Sequence, residues 1–216
     1  MEIVKDGFLF EMRFSDCVLK RLVTAKPDME VPSSVNGKPV ATIAENAFKG
    51  CVGVNTLILP DNITHISKHA FYAAQIYKIE RRGGNKMLFV GEEAFKDSQV
   101  GHVSFGGITF LDCYGSQFQN CTQLTYVDSK NIMGLIPENA FNNTGLHYIV
   151  LRHEVQIADD AFANTNLDMI VLAGILKDTG NFFPTHDSAT IICEGNNPVV
   201  ELAYLGHTVS IKEECK

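Results

Sequence analysis

Residues 43–60 read IAENAFKGCVGVNTLILP. They set out an apolar residue (Ile43), an Ala-Phe pair (Ala47-Phe48), a small residue (Cys51) and an apolar run ending at Pro60. The same order recurs along the chain. Ala70-Phe71, Ala94-Phe95, Ala140-Phe141 and Ala161-Phe162 repeat the pair, and Gln117-Phe118 fills the gap in the series. These phenylalanines are 23, 24, 23, 23 and 21 residues apart, a regularity that marks an internal repeat.

With Phe as the ruler, other columns align. Five residues earlier stand Ile43, Ile66, Val90, Cys113, Ile136 and Ile157. Three residues later stand Cys51, Ala74, Ser98, Cys121, Thr144 and Thr165, all small. A strand-like pattern of apolar-x-x-apolar-x-apolar follows, as in Val100, Val103, Phe105 and in Leu146, Ile149, Leu151. One coil of this length cannot bury an apolar face alone. Equivalent columns must stack into a continuous core, with strands of successive coils paired side by side. The spacing therefore predicts a solenoid whose coils occupy about residues 41–183, six to seven of 21–24 residues each.

The ends read as caps over the terminal apolar faces, about 1–40 and 184–216. Phe8, Phe10, Met12 and Phe14 alternate with the period of a half-buried strand, and Ser15-Asp16 turns the chain back into Cys17–Val23, a hairpin. Asn36-Gly37 is a tight-turn signal. At the other end Ile191 and Cys193 take strand positions, while Asp178 occupies the Ile column of a degenerate coil after Phe162, with Phe183 in the Phe place. Pro198 starts a short helix through Leu205, and Thr208–Ile211 closes the chain as a strand. No linker or composition shift divides residues 1–216, so a single domain is expected.

These residues resemble the BspA-like leucine-rich-repeat family, whose unit runs Ile-x-x-x-Ala-Phe-x-Gly/Asn-Cys/Thr and then Leu-x-x-Ile-x-Ile-Pro. The lead-in VPSSVNGKPVATI (residues 31–43) and the tail TIICEGNNPVVELAYLGHTVSI (residues 190–211) are similar to that family's first and last segments. Departures are Gln117 for Ala, Arg81 and Ser129 at inward strand positions, and the missing prolines after most strands. The resemblance implies a leucine-rich-repeat solenoid, mostly β, with short turns or helical segments on its outer side, a β-hairpin N-cap and a short helix plus strand as C-cap. It also implies protein–protein interaction or adhesion at the cell surface of host-associated bacteria, with some family members in protists, and it supplies no catalytic residues.

Composition narrows the alternatives. The 216 residues are 45% apolar and 20% charged with a net charge of −7, and the densest basic spots, Lys20-Arg21 and Arg81-Arg82, are only pairs. A nucleic-acid surface needs a basic stripe, so nucleic acid is not an expected partner. No apolar run reaches bilayer-spanning length. Met1–Asp6 lacks the pattern of a secretory signal, which leaves two readings: a cytoplasmic protein, or a surface or secreted one whose signal is absent from this chain.

Cys51, Cys113, Cys121 and Cys193 stand in repeat columns as small core residues. Cys17 and Cys215 belong to opposite caps, too far apart to bridge, and no Cys-x-x-Cys suggests zinc, so six free thiols are expected. His65 and His69 have the spacing of a helical metal pair but fall at outward loop positions. Glycines 83-84 and 106-107 lack the following helix of a phosphate loop, Glu92-Glu93 and Asp159-Asp160 are solvated turns, and Asn62, Asn120 and Asn142 open sequons. No cofactor, metal or catalytic group is expected, and the chain reads as no enzyme. A buried-thiol enzyme would need a low-pKa Cys near a base.

The variable positions lie on the outward side of the strands. One row is Thr56, Lys78, His102, Tyr126, Tyr148 and Met169; the next is Ile58, Glu80, Ser104, Asp128, Val150 and Val171. Asn55, Tyr77, Gly101, Thr125, His147 and Asp168 flank them. Lys78, Glu80, His102, Tyr126, Asp128, His147 and Tyr148 are the candidate partner-binding residues, since tyrosine is enriched in binding hot spots. Cross-strand stacking that only stabilises the sheet is the competing reading. The expected partner is a protein such as a host surface or matrix protein, with a glycan as the other option. The alternative function is a structural spacer in a larger cell-surface protein.

Overall fold

A computed structural model describes residues 1–83, 86–106, 108–110, 115–128, 132–151, 155–172, 176–179, 190–194 and 208–212. Two stacks of strands, parallel except in the β1–β2–β3 start of the first, wind together around one core. The first runs in the order β1 (Glu2–Lys5), β2 (Phe8–Met12), β3 (Cys17–Leu22), β6 (Lys38–Ile43), β8 (His65–Ile66), β10 (Leu88–Val90), β12 (Ile108–Phe110), β14 (Ile132–Ile136), β16 (Val155–Ile157) and β18 (Leu176–Thr179). The second consists of two blocks. One joins β4 (Asp28–Glu30), β7 (Thr56–Leu59), β9 (Lys78–Arg81), β11 (His102–Ser104) and β13 (Tyr126–Val127). The other joins β15 (Tyr148–Leu151), β17 (Met169–Leu172), β19 (Thr190–Glu194) and β20 (Thr208–Lys212). The strand-like pattern after each Phe forms this second stack, as the spacing predicts. The first stack was not anticipated: the Ile43, Ile66, Val90, Ile136 and Ile157 column lies on strands of its own.

The Phe column is the spine of the core. Phe48, Phe71, Phe95, Phe118, Phe141 and Phe162 are all fully or almost fully buried. Their rings stack nearly parallel, with centroids 4.7, 4.8, 4.8, 5.3 and 5.3 Å apart along the series. That separation approximates the strand spacing of about 4.8 Å, so the backbone ladder and the ring stack share one rise. Burying each side chain contributes roughly 1.5–3 kcal/mol.

No helix occurs among the described residues, which corrects the expectation of helical segments on the outer side. The reason lies on either side of each Phe. Two residues before it stand Asn46, His69, Glu93, Ser116, Asn139 and Asp160, and two after it Gly50, Ala73, Asp97, Asn120, Asn143 and Asn164. All twelve have φ between 50° and 64°. A left-handed residue every fourth position prevents a right-handed helix from propagating. The bonds that a helix would make internally go to the next coil instead: the amide of Phe48 donates to the carbonyl of Ala70, Phe71 to Ala94, Phe95 to Gln117, Phe118 to Ala140 and Phe141 to Ala161, at 2.7–2.8 Å. Side chains add a second ladder, in which Asn120 donates to Asp97 at 2.8 Å and Asn143 to Asn120 at 3.1 Å.

At the N-terminus β2 pairs antiparallel with β3, Met12 facing Cys17, and β3 then pairs parallel with β6. Phe14 departs from the expected alternation, because the strand ends at Met12 and its side chain is 99% exposed. Asn36 and Gly37 both take positive φ, as a two-residue hairpin turn between β5 (Ser34–Val35) and β6 requires. In the degenerate coil, β18 pairs with β16 through a register shift: Gln156 faces Lys177 and Ile157 faces Thr179, so Asp178 is the residue the ladder skips. Ile191 and Cys193 face Ile170 and Leu172, in the strand places expected of them. Phe183 and the helix expected over Pro198–Leu205 lie outside the described residues.

Arg81, an apparent misfit in an inward column, is buried with its guanidinium donating to the carbonyls of Ile63 (3.3 Å) and Lys86, with Asp61 at 3.9 Å. Gln117 is also fully buried, and neither its amide nitrogen nor its amide oxygen has a hydrogen-bond partner.

Candidate recognition face

Parallel pairing converts the outward positions into straight rows. Thr56 faces Lys78, Lys78 faces His102 and His102 faces Tyr126; in the adjacent row Ile58 faces Glu80 and Glu80 faces Ser104. Inward neighbours of the same strands, Leu57, Ile79, Val103 and Val127, are buried, so the rows sit on a rigid sheet. Tyr148 faces Met169 and Val150 faces Val171 in the block that begins with β15.

Local contacts fix several of these side chains. The His102 and Tyr126 rings stack at 4.4 Å with 10° between their planes. Burial lowers the pKa of His102, Lys78 lowers it further, and Glu80 and Asp128 oppose them. Burial also raises the Tyr126 phenol, with Asp128 and Tyr148 adding to it. Lys78 and Glu80 lie on one strand with Nζ 2.8 Å from Oε1. His147 reaches Asp168 of the next coil, Nδ1 to Oδ2 3.0 Å, and both side chains are exposed. Tyr148 is 49% exposed. Asp128, half-buried just past β13, anchors its amide on the Val103 carbonyl at 2.9 Å.

Lys78, Glu80, His102, Tyr126 and Asp128 thus form one group, while His147 and Tyr148 belong to the next block. The flanking column holds a feature that sequence reading missed: the ring of Tyr77 lies against Gly101 of the following coil. A Cβ at Gly101 would stand 2.3 Å from Tyr77 Cε2, so only glycine admits the ring there. The only sequence signal was an aromatic and a glycine in equivalent places of adjacent coils.

The other candidates resolve into packing. His65 lies on β8, not in a loop, and stacks on Phe89 at 5.0 Å, whereas half-buried His69 meets Glu93 at 2.7 Å. Among the described residues no group of three or more His, Cys, Asp or Glu side chains is placed to hold a metal. Nor is any helix there long and apolar enough to cross a membrane. Cys17, Cys51 and Cys121 are free thiols. Burial pushes Cys51 up to about 11 and Cys121 up to about 12.

Coils with two ladders of parallel strands and one side-chain column in the core define a mostly-β solenoid repeat protein. A family model described as the BspA type leucine rich repeat region matches in six copies over residues 29–108, and those residues carry repeats of that type. It is similar to the leucine rich repeat protein of T. pallidum at 18% identity, over 97% of this chain and 98% of that one, with a TM-score of 0.57. It is also similar to a leucine rich cell surface protein from Faecalibacterium prausnitzii A2-165 at 17% identity and a TM-score of 0.52. That match covers 89% of this chain and 54% of the other. Likeness at such identities establishes the fold alone. No curated protein matches the chain.

Proposed function

We propose that this protein is a recognition module that binds a protein partner through the outward side of β7, β9, β11, β13, β15 and β17, in the manner of a surface adhesin. The His102–Tyr126 stack carries the reading. Two rings held at 4.4 Å on a rigid sheet, beside Lys78 and Glu80, form a preorganised aromatic ledge with charges at its margin. Aromatic anchors with polar surroundings are the usual composition of a binding hot spot, and preorganisation lowers the entropy cost of association. The similar F. prausnitzii protein is a leucine rich cell surface protein, which supports placing this one in similar surroundings. The β2–β3 hairpin, joined to the coils through β6, supports its reading as the N-terminal cap, and the ladder that runs from β1 to β18 supports the reading of a single domain.

The test is capture from host surface and matrix extracts by wild type and by a Tyr126→Ala/Tyr148→Ala/His102→Ala variant with the same circular dichroism and melting temperature. A partner held by wild type and lost by the variant supports recognition by the strand face. Equal capture moves the site elsewhere, and no capture by either favours a structural spacer.

A further inference from the structure

Across the N-terminal ends of the face strands runs an open groove of about 650 Å³, within the range of small-ligand sites (about 300–1,000 Å³). Its lining is unlike the rest of the surface. Nine described residues border it and none is charged, in a chain that is 20% charged. Three successive coils each contribute one glutamine, Gln75, Gln99 and Gln123, and all three are exposed. Asn55 and Thr122 add a further amide and a hydroxyl. The Tyr77 ring, 54% exposed, lies in the same groove against Gly101, which has no Cβ to displace it.

The main chain beneath is already committed. The amide of Gln75 donates to Cys51, Gln99 to Ala74, Gly101 to Tyr77 and Thr125 to Gly101, at 2.8–3.0 Å. A peptide strand that bound by extending a sheet would need such groups free. What the groove presents is side-chain carboxamides, each with two donors and two acceptor lone pairs, at intervals of about one coil rise, roughly 4.8 Å. It also presents a half-exposed aromatic ring, whose electron-rich face suits weakly polarised C–H bonds. Neutral sugars match this combination: their hydroxyls both donate and accept, one ring face is lined with C–H bonds, and they bring no charge for the groove to neutralise.

We infer that this groove is a binding site for a neutral oligosaccharide, with Tyr77 as the stacking platform and Gln75, Gln99 and Gln123 as partners for its hydroxyls. The site adjoins the proposed protein-binding face and does not depend on it.

An array carrying neutral, sialylated and sulfated oligosaccharides and Gln/Asn-rich peptides tests this, followed by titration calorimetry of the best neutral hit. Wild type binds at least one neutral oligosaccharide. Tyr77→Ala weakens that binding at least tenfold, Gln99→Leu weakens it several-fold, and Met133→Ala, exposed on β14 in the other ladder, leaves it unchanged. Melting temperatures within a few degrees of wild type show that each variant is folded. Gly101→Ala, which displaces the ring without removing it, reproduces the Tyr77→Ala loss if it folds. The inference is overturned by any of four results: no neutral glycan binds, only acidic glycans bind, peptides alone bind, or Tyr77→Ala binds as tightly as wild type.

Discussion

Replacing Phe95 by Ala probes the core where it is most continuous. The ring has no exposed surface and stacks on Phe71 and Phe118, each at 4.8 Å, with Phe105 tilted against it at 6.0 Å. Large-to-small changes at a buried Phe cost about 3–5 kcal/mol, and each lost aromatic pair removes roughly 0.5–1.5 kcal/mol beyond its area. A site with ring neighbours on both sides belongs at the top of that range, so a loss of about 5 kcal/mol is expected. Against a typical domain stability of about 5–15 kcal/mol, that is a third or more of the total. Phe95→Leu keeps most of the volume but loses both stacked pairs, so a loss of about 2–4 kcal/mol is expected, smaller than that for Ala. Urea unfolding followed by far-ultraviolet circular dichroism measures both. Because nearest-neighbour coupling holds a solenoid together, Phe95→Ala should also broaden the transition as the two halves uncouple. A loss below about 1 kcal/mol, or equal losses for Ala and Leu, would refute the stacked-column account.

Three further outcomes follow from the same geometry. Gln117→Met removes two unpartnered amide atoms from the core while keeping volume, and should raise stability by about 1–2 kcal/mol in urea titrations, against a loss if the amide is satisfied. Cys121, fully buried with Sγ 2.9 Å from the Phe95 carbonyl and its pKa pushed up to about 12, should resist iodoacetamide at neutral pH in the folded protein and react only on unfolding. Rapid alkylation with loss of an activity would revive the thiol-enzyme reading. His102 should titrate below the ordinary histidine value of about 6.5 in an NMR pH series. The unfolded chain then takes up its proton first. This residue's contribution to stability is therefore intact above that value, falls as pH drops through the window between the two pKa values, and stops changing below the folded one. A midpoint above 6.5 would contradict its burial against Tyr126.

The Phe ruler was legible because every coil must repeat the residue that the next coil packs on, and one sequence therefore states the rule six times. Register on the strand face followed from the same ruler, which is why Thr56, Lys78, His102 and Tyr126 fall in one row. The second ladder was hidden. His65–Ile66 is only two residues long and offers no alternation to read; it pairs because stacked coils must satisfy their backbone groups. The helical expectation failed because the left-handed positions carry a diluted signal. Asn46, Gly50, Asn120, Asn139 and Asn143 announce it, but Ala73, Glu93 and Ser116 take the same φ without the residue type that favours it. The groove escaped notice for a similar reason. Gln123 sits one residue later in its coil than Gln75 and Gln99 do in theirs, and the pose of Tyr77 is set by a glycine in the following coil.

The claim that partners bind the strand face is tested most directly by site-specific photo-crosslinking in host surface extracts. A benzoylphenylalanine placed at Tyr148 on the face is compared with one at Met133 on β14, which is 42% exposed on the other ladder. The account predicts a cross-linked partner from position 148 and none from position 133. A partner captured from position 133 alone, or equally from both, would contradict it.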